Sequence, residues 1–183
     1  MTKFSTEDHG PVFASLLTDA PLNVLGPGRP QIEKRPALEA LTVEKAFDSL
    51  AIRDRSMAEC CLSGIWLLFD FLDESHAISQ QIHTTTGSYW HGIMHRREGD
   101  FSNSKYWFRR VGDHPLFTAL GSAAAELDTD GQLFDGAWDP YRFVDLVQSA
   151  TRGGNGKGEL LQLVAQAEWR LLFDYCYRTA IGE

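Results

Sequence analysis

Three cysteines in 183 residues, two of them adjacent as Cys60 and Cys61 and the third distant at Cys176, supply neither a disulfide framework nor a CxxC metal pattern. Cys60 and Cys61 fall in an apolar helical run and are expected to be small buried hydrophobes. No apolar run is long enough to span a bilayer, because the longest, GIWLLFDFL, is interrupted by Asp70. The opening residues MTKFSTEDHG have the layout of neither a signal peptide nor an arginine-rich presequence. A basic excess is also missing. The formal net charge of −8 argues against nucleic acid or an anionic membrane as the partner of the surface as a whole. Period-two alternation with hairpin turns is absent, which excludes a sheet-based fold. These absences lead to the expectation of a cytoplasmic chain with no membrane and no nucleic-acid partner.

What is present is helical patterning. Hydrophobic residues make up 43% and charged residues 23%, an ordinary globular balance that can fill a core without disulfides or metals. PVFASLLTDA predicts a short first helix, and Pro and Gly in PLNVLGPGRP exclude regular structure after it. LTVEKAFDSLA predicts a second helix. Ser56 and Glu59 form an S-x-x-E capping box that opens a long helix, apolar nearly all round between Cys60 and Leu72. Thr86 is expected to cap a fourth helix that stops at Gly99, and a fifth spans about 102–111. Pro115 suits the first turn of a sixth, and Asp139 followed by Pro140 starts another as N-cap and first residue. GELLQLVAQAEWRLLFDYCYRTA predicts the last. The expected fold is therefore all-α: one helical domain over 1–183, a bundle of about six to eight helices around a buried central helix at 57–82, with a loop-rich N-terminal segment at 1–39.

Two apparent motifs fail on spacing. RGGNGKGELL invites a phosphate-loop reading, but G-x-x-x-x-G-K-[ST] requires Gly at 151 and Ser or Thr at 158, where Thr and Gly stand. DTDGQLFDGAWD matches only the start of a calcium loop, through Asp128, Asp130 and Gly131, and reads as turn chemistry.

The chemistry concentrates in HGIMHRREGDFSNSKYWFRRVGDHP, residues 91–115. Between 91 and 110, Arg96, Arg97, Lys105, Arg109 and Arg110 outweigh Glu98 and Asp100 by +3, leaving about −11 for the rest of the chain. Internal pairing with acidic neighbours is the first expectation for such an island, and an anionic ligand the second. On a helix, His91, His95 and Glu98 share a sector of about 60°. Two imidazoles and a carboxylate on one face can ligate a divalent metal such as zinc or iron, with His95 and Glu98 also candidates for acid–base work. His76, near the end of the preceding helix, would return close to His91 if the two helices form an antiparallel hairpin. On the following helix, Asn103, Tyr106 and Arg110 at i, i+3 and i+7 could orient a carboxylate or phosphate, while Ser104, Trp107, Phe108 and Val111 face inward.

Two resemblances attach to these residues. GDFSNSKYWFRRVGDHP resembles the second helix of a Sel1 or tetratricopeptide-type hairpin. Gly99, Asp100 and Phe101 match its turn, Ser104 its small residue, Phe108 its aromatic and Val111 its small apolar position; Pro115 matches its terminator one residue early. Gly92 falls where the first helix of that motif carries a small residue. The match covers roughly 28 residues and occurs once, so it implies a single hairpin and not a repeat array. The longer run from Ser79 to Pro115, about a fifth of the chain, resembles a family of uncharacterised bacterial and fungal proteins with an HRREGD…N-x-x-YWFRR block. That resemblance implies a single-domain helical protein and carries no chemistry. Arg109 and His114 have the R-x4-H spacing of HEPN-type ribonucleases, but Pro115 puts His114 at a helix boundary, and this third reading is set aside.

Two functional expectations follow from different classes. The first is a small-molecule site, metal-assisted through His91, His95 and Glu98, with Asn103, Tyr106 and Arg110 holding an anionic ligand. The second is a helical protein-interaction module in which the same block is structural cement.

Overall fold

The computed structural model describes residues 4–18, 20–48, 50–154 and 156–183. Asp19 of the expected first helix, Ser49 of the second and Asn155 of the glycine loop lie outside these described residues. Among the described residues there are ten α-helices, two short 3-10 turns and no strand. They are α1 (Gly10–Leu17), α2 (Arg35–Glu39), α3 (Val43–Ala46), α4 (Arg55–Leu68), α5 (Leu72–Ser79), α6 (Thr85–Glu98), α7 (Phe101–Val111), α8 (Phe117–Leu127), α9 (Pro140–Thr151) and α10 (Gly158–Ile181). The helix count exceeds the expected six to eight partly because α2 and α3 are single turns, too short to leave a periodic signal. The second helix shrinks to one turn capped by Thr42, whose hydroxyl accepts from the Lys45 amide at 3.3 Å.

The expected central helix at 57–82 is two helices, α4 and α5. Asp70 breaks it, with a φ of 65° that no other described non-glycine residue shares in sign. The Asp70 amide donates to Leu67 O at 3.2 Å and the Phe71 amide to Trp66 O at 3.0 Å. That is the Schellman pattern, with aspartate in the position glycine usually takes. The left-handed conformation is held by the side chain. Its carboxylate accepts from Asn23 Nδ2 at 3.0 Å and from the Arg29 amide at 3.1 Å, and it pairs with Arg97 of α6. Asp70 therefore ties the loop before α2, the α4–α5 break and α6 together.

Cap positions shift by a turn or less. Asp54, not Ser56, caps α4, accepting from the Met57 amide at 3.0 Å. Thr84, not Thr86, caps α6, accepting from the Gly87 amide at 3.0 Å. Thr86 is buried, with its hydroxyl 3.2 Å from His114 Nε2. Pro115 precedes α8 and lies outside its first turn. Gly99 ends α6 in the left-handed region at φ 93°, and Asp139 with Pro140 opens α9 as expected. Asp128 binds the Leu133 and Phe134 amides at 2.6 and 2.9 Å, so turn chemistry accounts for that acidic stretch.

The α6–α7 hairpin is tight because two small residues sit at its contact. Ser104 Oγ donates to Gly92 O at 2.7 Å, and a Cβ on Gly92 would stand 3.2 Å from the Phe108 ring. α10 runs across the molecule and packs on α4, α8 and α9. Trp169 Nε1 donates to Gly64 O at 2.9 Å, and Trp90 Nε1 lies 3.4 Å from Cys176 Sγ. All three cysteines are buried and free. Among the described residues, no helix is long and apolar enough to cross a membrane.

Candidate metal centre

The α4–α5 break determines where the histidines meet. It sends α5 back along α6, so that His76 of α5 faces His91 and His95, one turn apart on α6. The His76 and His91 rings are 4.6 Å apart edge-on, His76 and His95 are 5.3 Å apart, and His91 stacks on His95 at 4.8 Å. One ligand nitrogen from each of the three lies within 4.8 Å of the others. On a further side, Trp107 of α7 stacks flat on His91 at 3.9 Å.

His91 is 2% exposed, and neither of its ring nitrogens has a hydrogen-bond partner among the described residues. An unsatisfied buried polar group costs about 1–3 kcal/mol, so this imidazole is an anomaly in the packing. Burial, reinforced by the two neighbouring imidazoles, lowers the His91 pKa to about 3. His95 is also pushed down by burial, against the pull of Glu98. Near neutral pH His91 is therefore uncharged and keeps a free lone pair.

The other predicted residues divide. Glu98 stands outside the three-histidine group and accepts from His95 Nδ1 at 2.9 Å. With the proton on Nδ1, the Nε2 lone pair of His95 is free to accept, and Asn103 Nδ2 lies 3.0 Å from it. His91, His95, Glu98 and Asn103 thus come together. Tyr106 and Arg110 do not join them. Tyr106 is 46% exposed, and its ring meets Trp107 edge-on at 5.5 Å, while Arg110 lies over the Trp107 ring at 5.3 Å.

The basic island is largely absorbed by internal contacts. Arg96 pairs with Glu168 of α10 in full burial and lies 4.5 Å from the Phe143 ring. Arg97 pairs with Asp70 and donates to Gly26 O at 2.7 Å. Lys105 reaches Asp145 at 2.5 Å, and Arg109 lies 5.8 Å from the Tyr106 ring. Sequence reasoning placed His76 near His91 only conditionally and assigned Trp107 to packing alone. The available signal was an H-x-x-x-H pair preceded by a histidine one short helix earlier, with a connection of only a few residues between.

No family model, curated protein or solved structure matches this chain. Its function has to be read from the site.

Proposed function

We propose that the chain binds a divalent transition metal, zinc or iron in class, through His76, His91 and His95. The observation that carries this reading is His91, buried with both nitrogens unpartnered between two other imidazoles. A tetrahedral zinc with nitrogens at about 2.0–2.1 Å holds pairs of them roughly 3.4 Å apart, against the 4.8 Å within which one nitrogen of each ring lies here, so the imidazoles would turn out of the His91–His95 stack to close on it. Glu98 acts through His95. By accepting from Nδ1 it fixes the tautomer and makes Nε2 a better donor, the usual part of a carboxylate behind a metal-bound histidine. Asn103, now on Nε2, would give up that contact. A bound metal would supply a Lewis acid with a fourth position for water or a small anion. Glu98, whose side chain is 54% exposed, connects the cluster to solvent and is the acid–base group in this reading.

A second reading has one specific support. The pairing of Arg96 with Glu168 and of Arg97 with Asp70 makes the opposite side of α6 structural cement, as an interaction module would require.

The readings separate in one experiment. Tag-free protein is stripped with chelator and titrated with Co(II), following its visible absorption, with Zn(II) as competitor. One equivalent is expected to bind. His76→Ala, at the less buried member of the cluster, is expected to weaken binding at least a hundredfold. Glu98→Gln is expected to weaken it about 10- to 100-fold without changing the stoichiometry. Absence of stoichiometric binding at micromolar metal, or unchanged binding by His76→Ala, would leave the structural reading standing.

A further inference from the structure

The face of α6 turned away from the histidines borders a cavity. Its volume is about 290 Å³, near the lower end of the roughly 300–1,000 Å³ typical of small-molecule pockets. One wall is apolar, from Leu67 and Leu68 of α4, Ile93 of α6 and Leu17 at the end of α1. The other is α10, which contributes two adjoining stripes. Gln162, Gln166 and Arg170, at i, i+4 and i+8, make a polar one, and Ala165 with Trp169 makes an apolar one beside it.

The charge on this cavity is unusual for so acidic a chain. Three arginines line it, Arg96, Arg97 and Arg170, and among the described lining residues there is no Asp or Glu. Arg96 and Arg97 are neutralised from outside the cavity by Glu168 and Asp70. Arg170 is not. Its guanidinium lies 5.6 Å from the Phe4 ring and has no carboxylate partner among the described residues. It is exposed, so it stands at the mouth, and it also lines a second cavity of about 460 Å³ with Leu127, Leu163 and Leu171 and with the charged Asp8, Asp174 and Arg178, of which Asp174 is paired with His9 and Arg178. The two cavities share Phe4, Gln166 and Arg170.

We infer that this cavity binds a small apolar monocarboxylate, of the medium-chain fatty-acid class, with its head on Arg170 and its tail between α4, α6 and α10. A guanidinium takes a carboxylate through two parallel charge-assisted hydrogen bonds, and the Gln162 and Gln166 amides stand along the same stripe as further donors. A single uncompensated cation suits a monoanion. A phosphate dianion would need a second one, and the other two arginines are already paired. A neutral apolar guest would leave Arg170 without a partner, and a fully polar one would leave the leucine and isoleucine walls unfilled. This site is independent of the histidine cluster, which lies on another face of α6.

The test is calorimetric titration with octanoate, octanol and octyl phosphate, alongside the fluorescence of Trp169 in the cavity wall. Octanoate is expected to bind saturably at one site, and octanol and octyl phosphate each at least tenfold more weakly. Arg170→Gln removes an exposed side chain that makes no ion pair among the described residues and loses only the contact with the Phe4 ring, so its melting temperature should fall only slightly. It is expected to weaken octanoate binding at least tenfold and leave octanol unchanged. Ala165→Phe, which fills the cavity without touching the charge, is expected to abolish binding of both. The inference is overturned if octanoate shows no saturable binding up to millimolar concentration, if Arg170→Gln binds it as tightly as the parent, or if octanol or octyl phosphate binds equally well. Stripping metal from the protein should not change any of these results.

Discussion

Asp70, left-handed at the α4–α5 break, is closed upon by Arg97 from α6, and the two side chains are only 12% and 8% exposed. The pair joins a backbone irregularity to the helix that carries His91 and His95. Breaking one partner of a buried ion pair leaves the other charge desolvated and alone, at about 3–5 kcal/mol. Asp70→Asn keeps a residue that tolerates the left-handed region and removes only the charge, so a loss of that order is expected. Asp70→Gly relaxes the backbone but should be at least as damaging. Urea denaturation midpoints check both, and an Asp70→Gly variant as stable as the parent would show that backbone strain, not the carboxylate, dominates at this position.

Arg96 and Glu168 form a second buried pair, joining α6 to α10. Arg96→Met preserves contact with the Phe143 ring but strands Glu168, which is 1% exposed. Each single substitution, Arg96→Met or Glu168→Leu, is expected to cost about 3–5 kcal/mol. The double variant should recover most of this, because two apolar chains replace two charges that had to be dehydrated. A double-mutant cycle by chemical denaturation measures the coupling, and additive losses would contradict the pairing.

His114 is expected to limit stability in acid. It is 5% exposed, and burial lowers its pKa to about 4. Its Nδ1 accepts from the Leu116 amide at 3.4 Å, and its Nε2 meets the Thr86 hydroxyl, so the folded state holds the neutral ring. In the unfolded chain histidine titrates near 6.5, so between that value and about 4 the unfolded state binds more protons. The stabilisation is complete above about pH 6.5 and is lost as the pH falls through this window, at up to about 1.4 kcal/mol per pH unit. His114→Gln cannot titrate and should flatten that part of the profile. Thermal melts of both proteins from pH 7 to 4 test it, and parallel profiles would contradict the assignment.

Part of this was legible in the chain itself. The all-helical class follows from 3.6-residue spacing, and Gly99, Asp139 and Pro140 act as local punctuation with no help from distant residues. The common face of His91 and His95 is likewise local, because four residues make about one turn. Asp70 was legible only as a polar residue in an apolar run. Its role as a break depends on Asn23, Arg29 and Arg97, 47, 41 and 27 residues away, and no local pattern reports such partners.

The same limit applies to the chemistry. Sequence alone determined that histidines, carboxylates and arginines would crowd residues 91–110 and that α6 would carry them on several faces. Tertiary structure decided the rest. It brought His76 onto His91 and His95, directed Arg96 and Arg97 into buried pairs, set Tyr106 and Arg110 against Trp107 instead of the histidines, and left Arg170, far along the chain, as a cation at a cavity mouth. The physical reason is that burial and charge compensation belong to pairs of residues from different helices, and only the packed fold brings those residues within reach.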